Sequence, residues 1–149
     1  KKELMIKYNS KVELHYSISS LNNIEFESTF DKKPIKILIG DGTIPQRLEL
    51  TLYGLKEGSQ QTLCLDPQDA FGERNEENIK ILSKKSFPNI DMIKIGNVIE
   101  VDVEGKDGKN DSSFAMIKEV KGNDVSLDLN HPLAGYKIQF KVEIIKIYD

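Results

Sequence analysis

The sequence predicts a mainly β protein of the α+β class, with an antiparallel sheet around one short helix and a small β-rich domain inserted into the chain. Three observations carry this prediction. Period-two alternation of apolar residues dominates, turn signals separate the alternating runs, and helical spacing of any strength occurs once.

The first strand is read from "KVELHYSI", where Val12, Leu14, Tyr16 and Ile18 fall on one face. "PIKILI" and "QQTLCL" read as strands too. Between them, "PQRLELTLYGLKEG" spaces Leu48, Leu52 and Leu55 by four and three, as one face of a helix requires. Pro45 suits its first turn and Gly58 its end, which puts the helix near residues 46 to 54. Beyond residue 73, "ERNEENIKILSKKSFPNIDMIKIGN" fits neither a strand nor a helix. Strands then follow in "NVIEVDV", "FAMIKEV" and "DVSLDL". The last strand, "YKIQFKVEI", again aligns Ile138, Phe140, Val142 and Ile144 on one face. "LNN", "GDG", "EGKDGKND" and "KGND" supply the turns. If the last strand completes the sheet begun by residues 4 to 65, the domains are 1–73 with 128–149, interrupted by 74–127.

Composition narrows the function. The chain has 149 residues, of which 38% are hydrophobic and 30% charged, an ordinary globular balance. Its net charge of -3 is spread along the chain, so a nucleic-acid partner is not expected. No apolar run approaches the roughly 20 residues of a membrane helix and no signal-like segment opens the chain, so a cytoplasmic protein without a membrane partner is expected. The single cysteine, Cys64, has no partner for a disulfide or a zinc motif and reads as a small buried residue. His15 has an outward phase and reads as solvated. His131, in a turn, reads as a residue that holds that turn. "GDGTIP" lacks the Gly-Lys-Ser/Thr ending of a phosphate loop, and the acids of "DVEGKDGKND" miss calcium-loop spacing. No nucleophile constellation is present.

Read in order, "VELHYSI", "EFEST", "KPIKILIGDGTIPQRLE", "GLKEGSQQTLCLDPQDAFGE" and "NHPLAGYKIQFKVEIIKI" resemble the FKBP-type peptidyl-prolyl cis/trans isomerases. Within that family they resemble the SlyD/SlpA-like branch, which carries a chaperone domain inserted in the flap beside the active site. The likeness covers residues 11–73 and 128–148, and "AFG" followed by an insertion and then "NHPLAG" is specific to this branch. Without a His/Cys-rich tail, the SlpA-like side is favoured, with no metal and no cofactor.

The resemblance implies an FKBP-like sheet and a proline pocket lined by Tyr16, Phe26, Ile35, Ile44, Leu48, Phe71 and Phe140. Leu133 and Ala134 stand at its rim, Pro45 at the helix entry and His131 at the turn of its mouth. Glu27, where the family usually has aspartate, and the Tyr16 hydroxyl are the polar orienters. Phe71 stands where many members have a tyrosine, and Pro45, Gln46 and Arg47 replace the more usual Pro-Gly or Ser-Gly entry to the helix. The implied inserted chaperone domain would meet clients through Ile81, Phe87, Met92 and Met116. Implied partners are unfolded or proline-containing polypeptides, met by a monomer. The implied activity is X-Pro isomerisation, the alternative being a peptide-holding chaperone whose pocket has decayed through Glu27, Phe71 and Arg47.

Overall fold

A computed structural model describes residues 3–22, 24–104 and 108–148. Its elements run β1 (Lys11–Ser20), β2 (Glu25–Ser28), β3 (Ile35–Leu38), α1 (Gln46–Glu49), β4 (Gln60–Leu65), β5 (Ile79–Ser83), β6 (Val98–Glu104), β7 (Asn110–Lys121), β8 (Asp124–Asp128) and β9 (Ile138–Tyr148). The chain divides into two compact units, Lys1–Glu73 with Leu133–Asp149, and Arg74–Pro132. Residues 128–132 therefore fall in the second unit: Asp128 pairs with Ile79 and Met116, and Leu129 packs on that unit's core.

In the first unit a five-stranded antiparallel sheet has the order β2-β1-β9-β4, with β3 also on β1. The first strand and the last are thus neighbours along their whole length, from Lys11 opposite Tyr148 to Ser20 opposite Ile138. Alternation explains why. Val12, Leu14, Tyr16 and Ile18 are all buried, and so are Ile138, Phe140, Val142 and Ile144 on the strand beside them. Removing two such apolar rows from water together is the main force that joins segments so distant in sequence. The alternation breaks once. The pairing slips between Glu13 and Leu14, which leaves Ile145 as an extra, exposed residue and turns Ile147 inward.

The helix is shorter than its leucine spacing predicts. After α1 the chain tightens into a 3-10 turn over Leu50–Leu52. Leu48 and Leu52 are fully buried and Leu55 packs against the same core. Gly54, at φ +86°, stands directly after Tyr53 where the turn ends, so it and not Gly58 terminates the element. Two further expectations are corrected. Cys64 is exposed, because β4 alternates with Gln61, Leu63 and Leu65 inward and Cys64 lies opposite Gln139 on the outer face. His15 is not simply solvated: its ring stacks on Phe30 at 5.2 Å and its Nδ1 hydrogen-bonds Thr29 Oγ1 at 3.0 Å.

The second unit is a four-stranded antiparallel sheet, β5-β8-β7-β6. Ile99, Ala115, Ile117, Val125 and Leu127 form its core, closed by Phe87, Met92 and Ile93 among others. The stretch that fitted neither template holds β5 and three short 3-10 turns. Asn75, Ser83 and Asn89 each start one by accepting a backbone N–H two residues on. Part of the turn read over "EGKDGKND" lies outside the described residues. No helix among the described residues is long and apolar enough to cross a membrane.

Candidate active site

The site is built on the inner face of the first unit's sheet. β1 delivers Tyr16, and β9 delivers Phe140 from the neighbouring strand. Their rings meet edge to face, with centroids 6.4 Å apart. α1 contributes Leu48, and the loop before it contributes Ile44. These four, with Leu133, belong to one packed cluster in which each is almost fully buried. Ile35 and Phe71 pack against the cluster, Ile35 from a position beside Leu14 on β1. Phe26 stands apart from the sealed residues. It is 45% exposed on β2, and its ring lies 6.3 Å from that of Phe71 at a tilt of 56°. Phe26 and Phe71 are therefore the accessible aromatic pair, and Tyr16 and Phe140 are sealed in the core against which Phe71 packs.

The Tyr16 hydroxyl donates a short hydrogen bond to Glu27 Oε1. Burial, then that bond, then the charge of Glu27 push the phenol well above its ordinary pKa. Tyr16 consequently stays a protonated donor throughout the neutral range. Its backbone is held as firmly as its hydroxyl. Thr29 Oγ1 accepts the Tyr16 N–H at 2.9 Å, and Thr29 N–H donates to the Tyr16 carbonyl at 2.9 Å. Thr29, two residues beyond Glu27 and itself buried, was not among the residues singled out from the sequence. Its only signal was a β-branched polar residue closing "EFEST".

Pro45 flanks α1 and its carbonyl accepts the Glu49 N–H at 2.9 Å. Arg47 points away along the surface and donates to the Gln68 carbonyl at 3.0 Å, tying α1 to the loop after β4. That loop is tied in turn to the returning chain, since Gly135 N–H donates to the Gly72 carbonyl at 2.7 Å. Both glycines have positive φ, +84° and +79°, so the close approach of "AFG" and "LAG" uses conformations that other residues resist. Leu133 and Ala134, just before Gly135, are buried.

His131 belongs to the second unit, and partial burial lowers its pKa, so its imidazole is neutral at pH 7. Of the residues expected to meet clients, Ile81 and Met116 are exposed, whereas Phe87 and Met92 pack against the unit's own core. Val98 stands opposite Met116 on the same exposed face, and Phe114, 70% exposed, lies two residues along. The sequence reading named neither Val98 nor Phe114, because alternation says which residues share a face and not which face is covered.

This arrangement can be compared with known proteins. Residues 3–87 match the model of the FKBP-type peptidyl-prolyl cis-trans isomerase family. A probable FKBP-type 16 kDa peptidyl-prolyl cis-trans isomerase from Pseudomonas fluorescens is 35% identical over 145 residues, covering 97% of this chain and 93% of its own. The chain belongs to the FKBP-type peptidyl-prolyl cis-trans isomerase family. The FKBP-type 16 kDa isomerase of Escherichia coli strain K12 is 31% identical over 143 residues, covering 95% of this chain and 93% of that one. The isomerase SlyD of Vibrio cholerae is 26% identical over 144 residues, covering 97% of this chain but 69% of its own. This FKBP-type chain is thus similar over nearly its full length to relatives of both the 16 kDa and the SlyD kinds.

Proposed function

We propose that this protein catalyses cis/trans exchange of X-Pro bonds in polypeptide clients, and that its second unit holds the client chain while the first unit acts. The chemistry needs no nucleophile, metal or cofactor. Rotation about a planar amide has a barrier of about 18–20 kcal/mol because resonance must be broken. The twisted amide has lost its charge separation and is less polar than either planar form. A water-poor apolar contact therefore favours the twisted state over both ground states. In this reading the client's proline ring rests against Phe26 and Phe71, over the edges of Tyr16 and Phe140. The single observation that carries it is the ring contact of an exposed Phe26 with Phe71, which packs on the core that holds Tyr16 and Phe140. Glu27 fixes the Tyr16 hydroxyl and Thr29 its backbone, so the ring is held in one orientation.

Holding the client addresses a second problem. An X-Pro bond exchanges in tens to hundreds of seconds, and an unfolded chain presents few prolines to a small pocket at any moment. The exposed apolar side chains of the second unit, Ile81, Val98, Phe114 and Met116, supply transient contact that raises the local concentration of prolines. A lobe of this kind favours many sequences over one, since methionine and isoleucine adapt to varied partners.

Exchange in a short proline peptide, followed by NMR, tests the first half, and refolding of a proline-limited protein tests the second. Both should be accelerated. Phe26→Ala with Phe71→Ala should lower peptide exchange, and a short linker in place of residues 74–132 should slow refolding catalysis while sparing peptide exchange. Equal losses in both assays from the linker variant, shown to be folded, would sink the division of labour.

A further inference from the structure

On the first unit, a cavity of about 400 Å³ is lined by Tyr8, Gly40, Ile44, Glu49, Leu50 and Tyr53. Its chemistry is set by Glu49, the residue after the site's Leu48. Glu49 is only 5% exposed, yet it lines the cavity. One of its oxygens, Oε2, accepts the Gly40 N–H at 3.0 Å. Its other oxygen has no hydrogen-bond partner among the described residues and is not fully sealed, and Glu49 lines the cavity. Among the described residues no lysine, arginine or histidine forms an ion pair with it. A carboxylate taken this far from water is costly without an opposite charge, and one backbone donor offsets part of that cost.

The walls match the same ligand. Tyr8 and Tyr53, 66% and 39% exposed, place two electron-rich rings beside the carboxylate. Tyr8 lies close over Gly40, where φ is +100° and an added Cβ would come within 2.8 Å of Tyr8 Cε1. The glycine is thus required twice, for its backbone conformation and for the room it leaves the ring. A buried anion in a cavity that two tyrosines also line suits an ammonium or guanidinium group. The rim carries more than such a group uses: Leu50 is exposed beside both tyrosines, and these apolar surfaces suit the chain on either side of a basic residue.

We propose that this cavity binds the side chain of a lysine or arginine of a polypeptide. The proposal rests on the reading of the clients as polypeptides, and it adds a preference for basic residues to it. Ile44 lines both the cavity and the core of the active site, so the two sites share a wall.

The test is an amide NMR titration of the whole protein with a short peptide containing one lysine and no proline. Saturable shifts are expected at Gly40, Gly42, Tyr8 and Tyr53. Replacing the lysine by norleucine, or making Glu49→Gln, should weaken binding roughly 10-fold or more, the scale of losing a charge-assisted contact. Glu49→Gln keeps the volume and an acceptor for the Gly40 N–H, so the loop should stay in place. Tyr53→Ala provides a second variant that leaves the carboxylate untouched, and it should weaken binding as well. Shifts scattered over surface carboxylates and indifferent to both variants would overturn the proposal, as would equal binding of the norleucine peptide. Equal binding of a single capped lysine would overturn the polypeptide as its source. Exchange in a proline peptide without basic residues should be retained in Glu49→Gln. A wild-type protein that fails to catalyse that exchange would sink the isomerase reading, and the titration would still decide the cavity.

Discussion

The two sheets begin from the same alternating pattern and bury very different shares of it. In the first unit, both apolar rows of the long neighbouring strands β1 and β9 are sealed, and a helix and loops close over them. In the second, β7 buries Ala115 and Ile117 but exposes Phe114 and Met116 on its other face, with Val98 beside them. A sheet with one covered face ordinarily puts polar residues outward. Apolar residues left there are the ones that the proposed reading gives to the client chain. The same alternating pattern can thus be sealed in one sheet and left partly exposed in another.

Substitutions that act on one unit and not the other would sharpen this contrast or break it. The largest effect is expected from Phe140→Ala, which removes a fully buried ring and should cost about 3–5 kcal/mol. Denaturant unfolding followed by circular dichroism would measure it. Hydrogen exchange should show Ile117 and Leu127 still protected in the second unit; loss of that protection would mean the units do not hold separately.

Acid should destabilise the second unit through Asp128. Burial alone would raise the Asp128 carboxyl, but the Asn130 N–H, the Arg74 guanidinium and the Asn130 amide outweigh it and hold the pKa below its ordinary value. A depressed folded pKa means the stabilisation is present above the unfolded value of about 3.9 and is lost as pH falls through the lower folded value. Protection of the second unit's amides should drop in that window. Asp128→Asn should destabilise the unit at pH 7 by about 1–3 kcal/mol and flatten the dependence. An unchanged acid profile in that variant would remove Asp128 from the account.

Tyr16→Phe should be milder, costing about 1 kcal/mol for the hydrogen bond to Glu27 while lowering peptide exchange. Because burial and Glu27 raise the phenol pKa, no change in activity traceable to Tyr16 is expected as pH rises to its ordinary value of about 10. The smallest effect on stability, within about 0.5 kcal/mol, is expected for Phe114→Ser. Its signature is elsewhere, in weaker retention of an unfolded client measured by light scattering during aggregation. Unchanged retention would leave that exposed face without a role.

Much of this was legible in the chain. Alternation in "KVELHYSI" and "YKIQFKVEI" identified β1 and β9 and their buried faces, and the leucine spacing identified a helical segment over the core. Both signals are local, repeating every two residues or every three to four, and need no knowledge of a partner. β5 escaped because it is an edge strand whose residues beyond Ile79 are all exposed, so burial imprinted no alternation on it. The same limit explains Ile145, whose exposure follows from a slip against β1 and not from any residue nearby in the chain.

The sequence by itself determined which residues prefer strand, helix or turn, and, through ordered motifs, the family. Tertiary structure alone decided that His15 would stack on Phe30, that Thr29 would clamp the backbone of Tyr16, and that Glu49 would be buried at the wall of a cavity. Each of these depends on a neighbour brought near by the folding of the chain into a sheet. A side chain's environment is set by what packs against it, and periodicity records only the direction in which it points.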